Sequence, residues 1–311
     1  MNFKSSKRSI IGFWLRLSSV VTALSFLLMC LSQFVGHGIG TQAISYTTLF
    51  DSPLGHGIIL LDINRNLAAK FVKNKMIGLM AWSPDGTRIV FLGNFDPDTL
   101  YLMDVFGQQE RVLLSLKSHD FVVHSIDWSP DGQYIVLDNL NNGTLEIYVI
   151  DLDAPNFDHK LIAYPNAKTL AAQPVWSPDG QKIVFSSGDG AICIINPDGS
   201  GLRCLTDSTG RNITPAWSPD GQQIIYAADE NLSGVYQLYR IGLDGSSRKP
   251  FSTTAVHGAN PQWSPSGQYI LFTGTITSTI NGFIYEPLMM NTDGSDIHPI
   301  VVRGINEQWQ P

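Results

Sequence analysis

The sequence predicts an all-β, six-bladed β-propeller of four-stranded blades, closed by C-terminal strand pairing with the N-terminal blade and preceded by one N-terminal transmembrane or signal helix. Three observations predict it. Trp82-Ser83-Pro84-Asp85-Gly86 recurs from Trp128, Trp176 and Trp217, returns from Trp263 with Ser266 in place of Asp, and leaves a stump at Trp309. The Trp-to-Trp steps are 46, 48, 41, 46 and 46 residues, a blade-like period. Every copy is followed by a short β-branched and aromatic run, which reads as a strand.

Each element has a local cause. Ser suits the first position of a type I turn, Pro presets φ at the second, Asp is tolerated at the third, and Gly supplies a left-handed residue after it. That geometry is a common hairpin connection. The runs after the turn are Arg88–Leu92, Tyr134–Leu137, Lys182–Phe185, Gln223–Tyr226 and Tyr269–Phe272. A third strand follows in each unit, at Leu100–Asp104, Leu145–Ile150, Ala191–Ile195, Tyr236–Ile241 and Tyr285–Met290. A second turn, clearest at Asn196–Gly199, leads to a fourth strand such as Arg111–Leu116 or Leu202–Leu205.

The strand before each Trp differs from these. Gln173-Pro174-Val175-Trp176, Thr214-Pro215-Ala216-Trp217 and Asn260-Pro261-Gln262-Trp263 carry a proline. A proline inside a strand points to a sheet edge, where no ladder donor is needed on one side. This strand is therefore assigned as the innermost, A, with B, C and D running outward. Counting gives five units from Trp82 to residue 308. Ile44–Phe50, Ile58–Asp62 and Leu67–Val72 supply B, C and D of a sixth, and Ile305–Trp309 supplies its A strand.

These motifs resemble the TolB-type, WD40-like β-propeller repeat family, over residues 44–311. The resemblance implies a propeller. TolB as a whole carries a separate α/β domain before its propeller, and the segment before residue 44 is too short for one. The resemblance is therefore to the repeat rather than to that whole protein.

Residues 1–43 are expected to form a signal-anchor or signal peptide plus linker, and 44–311 the propeller. Lys4, Lys7, Arg8 and Arg16 precede Leu17–Val35, a 19-residue stretch without charge. That is close to the ~20 residues of a bilayer crossing. Basic residues on the N-terminal flank orient the propeller to the extracytoplasmic side. The stretch is longer than a ~7–15-residue signal core, which favours an anchor over cleavage after Ala43, the alternative that would leave a secreted or periplasmic protein.

Four of the 20 basic residues and none of the 27 acidic ones fall in 1–43, so 44–311 carries a net charge of −11. Such a surface argues against nucleic acid as a partner. Cys193 and Cys204 fall on neighbouring strands C and D of one blade. They read either as a cross-strand disulfide or as two small buried apolar side chains.

Catalytic motifs are absent. There is no Gly-x-Ser-x-Gly elbow, no His-Glu-x-x-His, no paired Cys-x-x-Cys and no phosphate-binding loop. No metal site or cofactor is expected. The turn residues Asp85, Asp131, Asp179 and Asp220 stand one per blade, whereas calcium needs ~6–8 converging oxygens, so they read as turn formers.

The remaining candidates lie on the loops joining D to A and B to C, which share one rim. They are Lys75, His119, Asp120, His124, Asp138, Arg211, Asp229, Glu230, His257, Arg303 and Glu307. The sequons at Asn142, Asn212 and Asn231 fall on the same rim. The sequence therefore predicts a non-catalytic scaffold that binds a protein or an extended polymer at these loops, with the membrane reached through residues 17–35. The competing reading is a propeller enzyme, a glycan hydrolase or lyase, with carboxylates or a His-bound metal at the channel mouth.

Overall fold

The protein was described from a computed structural model. Its described stretches are 77–93, 99–104, 108–115, 123–141, 144–154, 159–163, 173–251, 257–275, 278–279, 282–283 and 286–299, together with the strands between residues 31 and 73.

Five blades carry the Trp motif. The strands are numbered after four N-terminal ones, β1 (Leu31–Val35), β2 (Ala43–Thr48), β3 (Gly57–Asp62) and β4 (Leu67–Lys73). Blade 1 holds β5 (Ile77–Trp82), β6 (Arg88–Gly93), β7 (Thr99–Asp104) and β8 (Arg111–Ser115). Blade 2 holds β9 (Ile126–Trp128), β10 (Tyr134–Asn141), β11 (Thr144–Asp151) and β12 (His159–Ala163). Blade 3 holds β13 (Val175–Trp176), β14 (Ile183–Ser186), β15 (Ile192–Ile195) and β16 (Arg203–Cys204). Blade 4 holds β17 (Arg211–Trp217), β18 (Gln223–Asp229), β19 (Gln237–Gly242) and β20 (Lys249–Pro250). Blade 5 holds β21 (His257–Trp263), β22 (Tyr269–Thr275), β25 (Glu286–Asn291) and β26 (His298–Pro299), with a small hairpin, β23 (Ser278–Thr279) and β24 (Gly282–Phe283), between its second and third strands. In every blade the four strands pair in chain order.

The core lies between blades rather than within them. A single sheet cannot bury both faces alone, so each blade is covered by its neighbours. The middle strands Ile183–Ser186 and Ile192–Ile195 are accordingly buried at every position. Val90 and Leu102 of blade 1 pack with Trp128 of blade 2. Val136 and Val149 pack with Trp176, and Val184 and Ile194 with Trp217. Ile225 and Phe251 pack against Trp263. Trp128, Trp176, Trp217 and Trp263 thus each fill the boundary with the preceding blade, where removing so large a side chain costs about 3–5 kcal/mol.

The six-bladed ring closed by the C-terminal strand is overturned: among the described residues the Trp-bearing blades number five, not six. The closure fails for a physical reason. Ala43–Thr48, the partner assigned to Ile305–Trp309, is already paired on both sides, with Leu31–Val35 and with Gly57–Asp62. A strand has only two hydrogen-bonding edges, so the third partner has no place. Ile305–Trp309 itself lies outside the described residues. The sheet β1–β4 is instead completed from its N-terminal side.

The expected N-terminal helix is corrected by the same strand. Leu31–Val35, the tail of the stretch read as a membrane span, is extended and sheet-paired. Residues 1–30 lie outside the described residues. Among the described residues no helix is long and apolar enough to cross a membrane.

Candidate functional site

The Trp-Ser-Pro-Asp-Gly turns join A to B, on the face opposite the rim, and they consume their own polar groups. Ser177 Oγ donates to Asp179 Oδ1 at 2.6 Å and accepts the N–H of Lys182 at 2.9 Å. Asp179 Oδ1 also accepts the N–H of Gln181 at 3.0 Å. The same bonds recur around Ser83–Asp85, Ser129–Asp131 and Ser218–Asp220. The Ser177 hydroxyl and the Gln181 N–H hold Asp179 below the usual carboxylate range, and Ser218 and Gln222 do the same for Asp220. Each turn glycine has a left-handed φ, and a Cβ on Gly180 would lie 3.3 Å from Pro130 of the preceding blade.

On the inner strands the residues three before Trp form a relay between blades. Gln173, Thr214 and Asn260 have φ of 46°, 53° and 52°, a left-handed conformation uncommon outside glycine. In β17 and β21 this residue lies where the pairing register shifts. The shift releases its N–H from the blade's own ladder. Gln173 N–H donates to Asp138 Oδ2 of blade 2 at 3.1 Å. Thr214 N–H donates to Gln173 Oε1 at 2.8 Å, and Asn260 N–H to Thr214 Oγ1 at 3.1 Å. Each acceptor is the side chain of the preceding blade. The recurring polar-Pro-x-Trp pattern was visible in the sequence, but its role as an acceptor series was not.

The rim candidates divide sharply. His124 and Asp138, read separately from the sequence, stand together. Asp138 is fully buried, and its Oδ1 accepts the backbone N–H of His124 and of Ser125, each at 2.8 Å. His124 Nδ1 lies 3.9 Å from Asp138 Oδ2. Burial pushes the Asp138 carboxyl up, against the pull of its N–H donors. Asp229 is buried and accepts the N–H of Ser233 at 2.9 Å and of Gly234 at 2.7 Å, which fixes the B–C loop of blade 4. Glu230 pairs with Arg248 at 2.7 Å, and the Arg248 and Tyr239 contacts hold its carboxyl low. Arg248 Nε also donates to Tyr226 Oη at 2.7 Å, and its guanidinium lies 4.5 Å from the Tyr239 ring centre. Arg211 is exposed at the start of β17, opposite Asp229.

His257 begins β21, with its side chain outside the described residues. Lys75, His119, Asp120, Arg303 and Glu307 lie outside them altogether. Among the described residues no group of three His, Cys, Asp or Glu side chains converges as metal ligands. Chemically, the described rim offers a histidine next to a buried carboxylate, a second carboxylate bound by backbone donors and a third held by an arginine.

Cys193 and Cys204 face each other as register partners on β15 and β16, with their sulfurs 1.98 Å apart. Cys193 is fully buried and Cys204 exposed, so the pair pins the short outer strand to the blade's interior.

The comparisons agree with this architecture. The family model for the TolB beta propeller domain matches residues 95–297, more than half of the chain. The Tol-Pal system protein TolB of Francisella tularensis subsp. mediasiatica is 28% identical over 91 residues, 29% of this chain and 20% of that protein. An uncharacterised protein of Agrobacterium fabrum is 30% identical over 163 residues, 50% of this chain and 52% of its own length. The chain thus spans about one fifth of the TolB relative and about half of the other. Among solved structures, putative TolB from Agrobacterium tumefaciens superposes with a TM-score of 0.63 at 21% identity, covering 78% of this chain and 86% of that one. Oligogalacturonate lyase in complex with manganese gives a TM-score of 0.65 at 15% identity, covering 88% and 77%. Likeness at these identities is likeness of fold. By the match of the family model, the chain belongs to the TolB beta propeller domain family.

Proposed function

We propose that this chain is an exported propeller that binds a protein or an extended polymer at the rim of its D–A and B–C loops, without running chemistry there. The observation that carries the reading is the use made of the rim carboxylates. Asp138 accepts three backbone N–H groups and Asp229 two, and Glu230 is held by Arg248. Their work is to stiffen the loops, and loops held on a rigid scaffold are where partners dock. Similarity to TolB, a component named for the Tol-Pal system, supports a protein partner in the periplasm. The basic, then apolar, N-terminal sequence supports export.

The test is site-specific photocrosslinking in intact cells. A probe at Arg211 or Glu230 is expected to give a discrete adduct, and one at Gln181 or Gln222 on the opposite face none. Adducts distributed equally over both faces overturn the rim as the binding surface. A propeller inaccessible to protease in spheroplasts overturns export.

The enzyme reading draws its support from the His124–Asp138 pair, since a buried carboxylate beside a histidine is one way of orienting a proton-transferring imidazole. Metal analysis separates the two. Stoichiometric metal lost in His119→Ala, His124→Ala or His257→Ala would favour the glycan hydrolase or lyase.

A further inference from the structure

Arg240 departs from the pattern of its own repeat. Eight residues after each motif Trp, strand B pairs with one position of strand C, and the five blades place Leu102, Val149, Ile194, Arg240 and Met289 there. The first three are buried in the apolar cluster facing the next blade. The repeat therefore states what packing requires at this position, and a guanidinium is not it.

The surroundings of Arg240 do not neutralise it. Its register partner on β20 is Lys249, a second cation. Its guanidinium carbon lies 5.3 Å from the Phe251 ring centre, a contact that favours a flat, fixed orientation. Its Nε is buried and meets no acceptor among the described residues. A cavity of about 610 Å³ opens at these two cations, and Gln222, Gln223, Asp244 and Ser247 contribute to its wall. That size falls within the ~300–1,000 Å³ typical of small-molecule sites. The one carboxylate in the wall is committed locally, since Asp244 accepts both the N–H and the hydroxyl of Ser246 at 2.8 Å.

We propose that this cavity binds a small polar carboxylate, seated on Arg240 and Lys249, with its remaining hydroxyl or amide groups against Gln222, Gln223 and Ser247. A guanidinium presents paired donors that match the two oxygens of a carboxylate, and charge-assisted bonds of this kind are among the strongest available to a protein. The site lies among the A–B and C–D turns, on the face opposite the rim. It stands independently of the rim's proposed partner.

The test is calorimetric titration of the full chain with malate and, separately, with inorganic phosphate. Arg240→Met installs the residue type that blade 5 already carries at Met289, so the fold is expected to melt no lower than before. Saturable malate binding that weakens by about tenfold or more in Arg240→Met is the expected result. Arg240→Lys keeps the charge and loses the fork, and is expected to weaken binding while leaving the melting temperature in place. Three results would overturn the proposal. One is no malate binding by the intact chain at millimolar concentration. Another is malate binding unchanged in Arg240→Met. The last is phosphate binding more tightly than malate, which would remove the carboxylate assignment.

Discussion

The side chain of Gln173 accepts the backbone N–H of Thr214 across a blade boundary, at 2.8 Å. Removing that acceptor in Gln173→Ala strands a half-buried donor, at a cost of about 1–3 kcal/mol. Thermal melting of the full chain is expected to fall by several degrees, at about 2–4 °C per kcal/mol for a chain of this size class. Gln173→Gly loses the same bond but relieves a left-handed φ that costs a side chain roughly 1–2 kcal/mol. It should therefore melt above the alanine variant. The reverse order would show that the left-handed backbone is unstrained.

The turn glycines offer a second comparison. Gly132 and Gly180 share a φ near +70°, at 72° and 71°. A Cβ at Gly132 would meet its nearest atoms at 3.6 and 3.8 Å, whereas at Gly180 it would press on Pro130 at 3.3 and 3.5 Å. Both alanine variants should lose about 1–2 kcal/mol from backbone conformation. Gly180→Ala should lose measurably more, read as a lower urea midpoint. Equal midpoints would mean that Pro130 moves aside freely.

Acid should act on two groups in opposite senses. Burial raises the Asp138 carboxyl, so the folded chain holds that proton more tightly than the unfolded chain. Its contribution to stability is full below the ordinary carboxylate value of about 4 and is lost as pH rises through the folded value. Asp179 is lowered, so its contribution is present above about pH 4 and is lost as pH falls through the folded value. On acidification the gap between wild type and Asp138→Asn should therefore widen, while the gap to Asp179→Asn should close. Melting curves at several pH values between about 3 and about 7 read both slopes. Parallel slopes would contradict the assignment.

Thiol counting tests the Cys193–Cys204 pair. The chain has three cysteines. Denatured without reductant, the full, uncleaved chain should expose Cys30 alone, and reduction should release the other two. A short closed loop of this kind is expected to contribute about 2–3 kcal/mol, which reductant would remove from the unfolding free energy. Three free thiols before reduction would leave the pair unbonded in solution.

The sequence disclosed the features whose causes are local. Ser177, Asp179 and Lys182 bond to one another within five residues, so the turn chemistry could be written from the motif itself. Ring closure was misread because strand pairing is not local. Leu31-Ser32-Gln33-Phe34-Val35 ends an apolar run, and such a run does not distinguish helix from buried strand by composition. Asp138 and His124 were recognisable as rim candidates, but nothing 14 residues apart announces a shared carboxylate. Gln173 and Thr214 were read only as preceding a proline, because their acceptor roles depend on blades 41 and 46 residues further on.

The relay also has a direction in time. Asp138 precedes Gln173, Gln173 precedes Thr214, and Thr214 precedes Asn260, with the acceptor earlier in the chain at every step. Two of the motif Trp side chains obey the same order: Trp128 Nε1 donates to the carbonyl of Ala81 and Trp217 Nε1 to that of Val175. A polypeptide leaves the ribosome from its N-terminus, at about 5–20 residues per second. Along this relay, therefore, each donor emerges to find its acceptor already made.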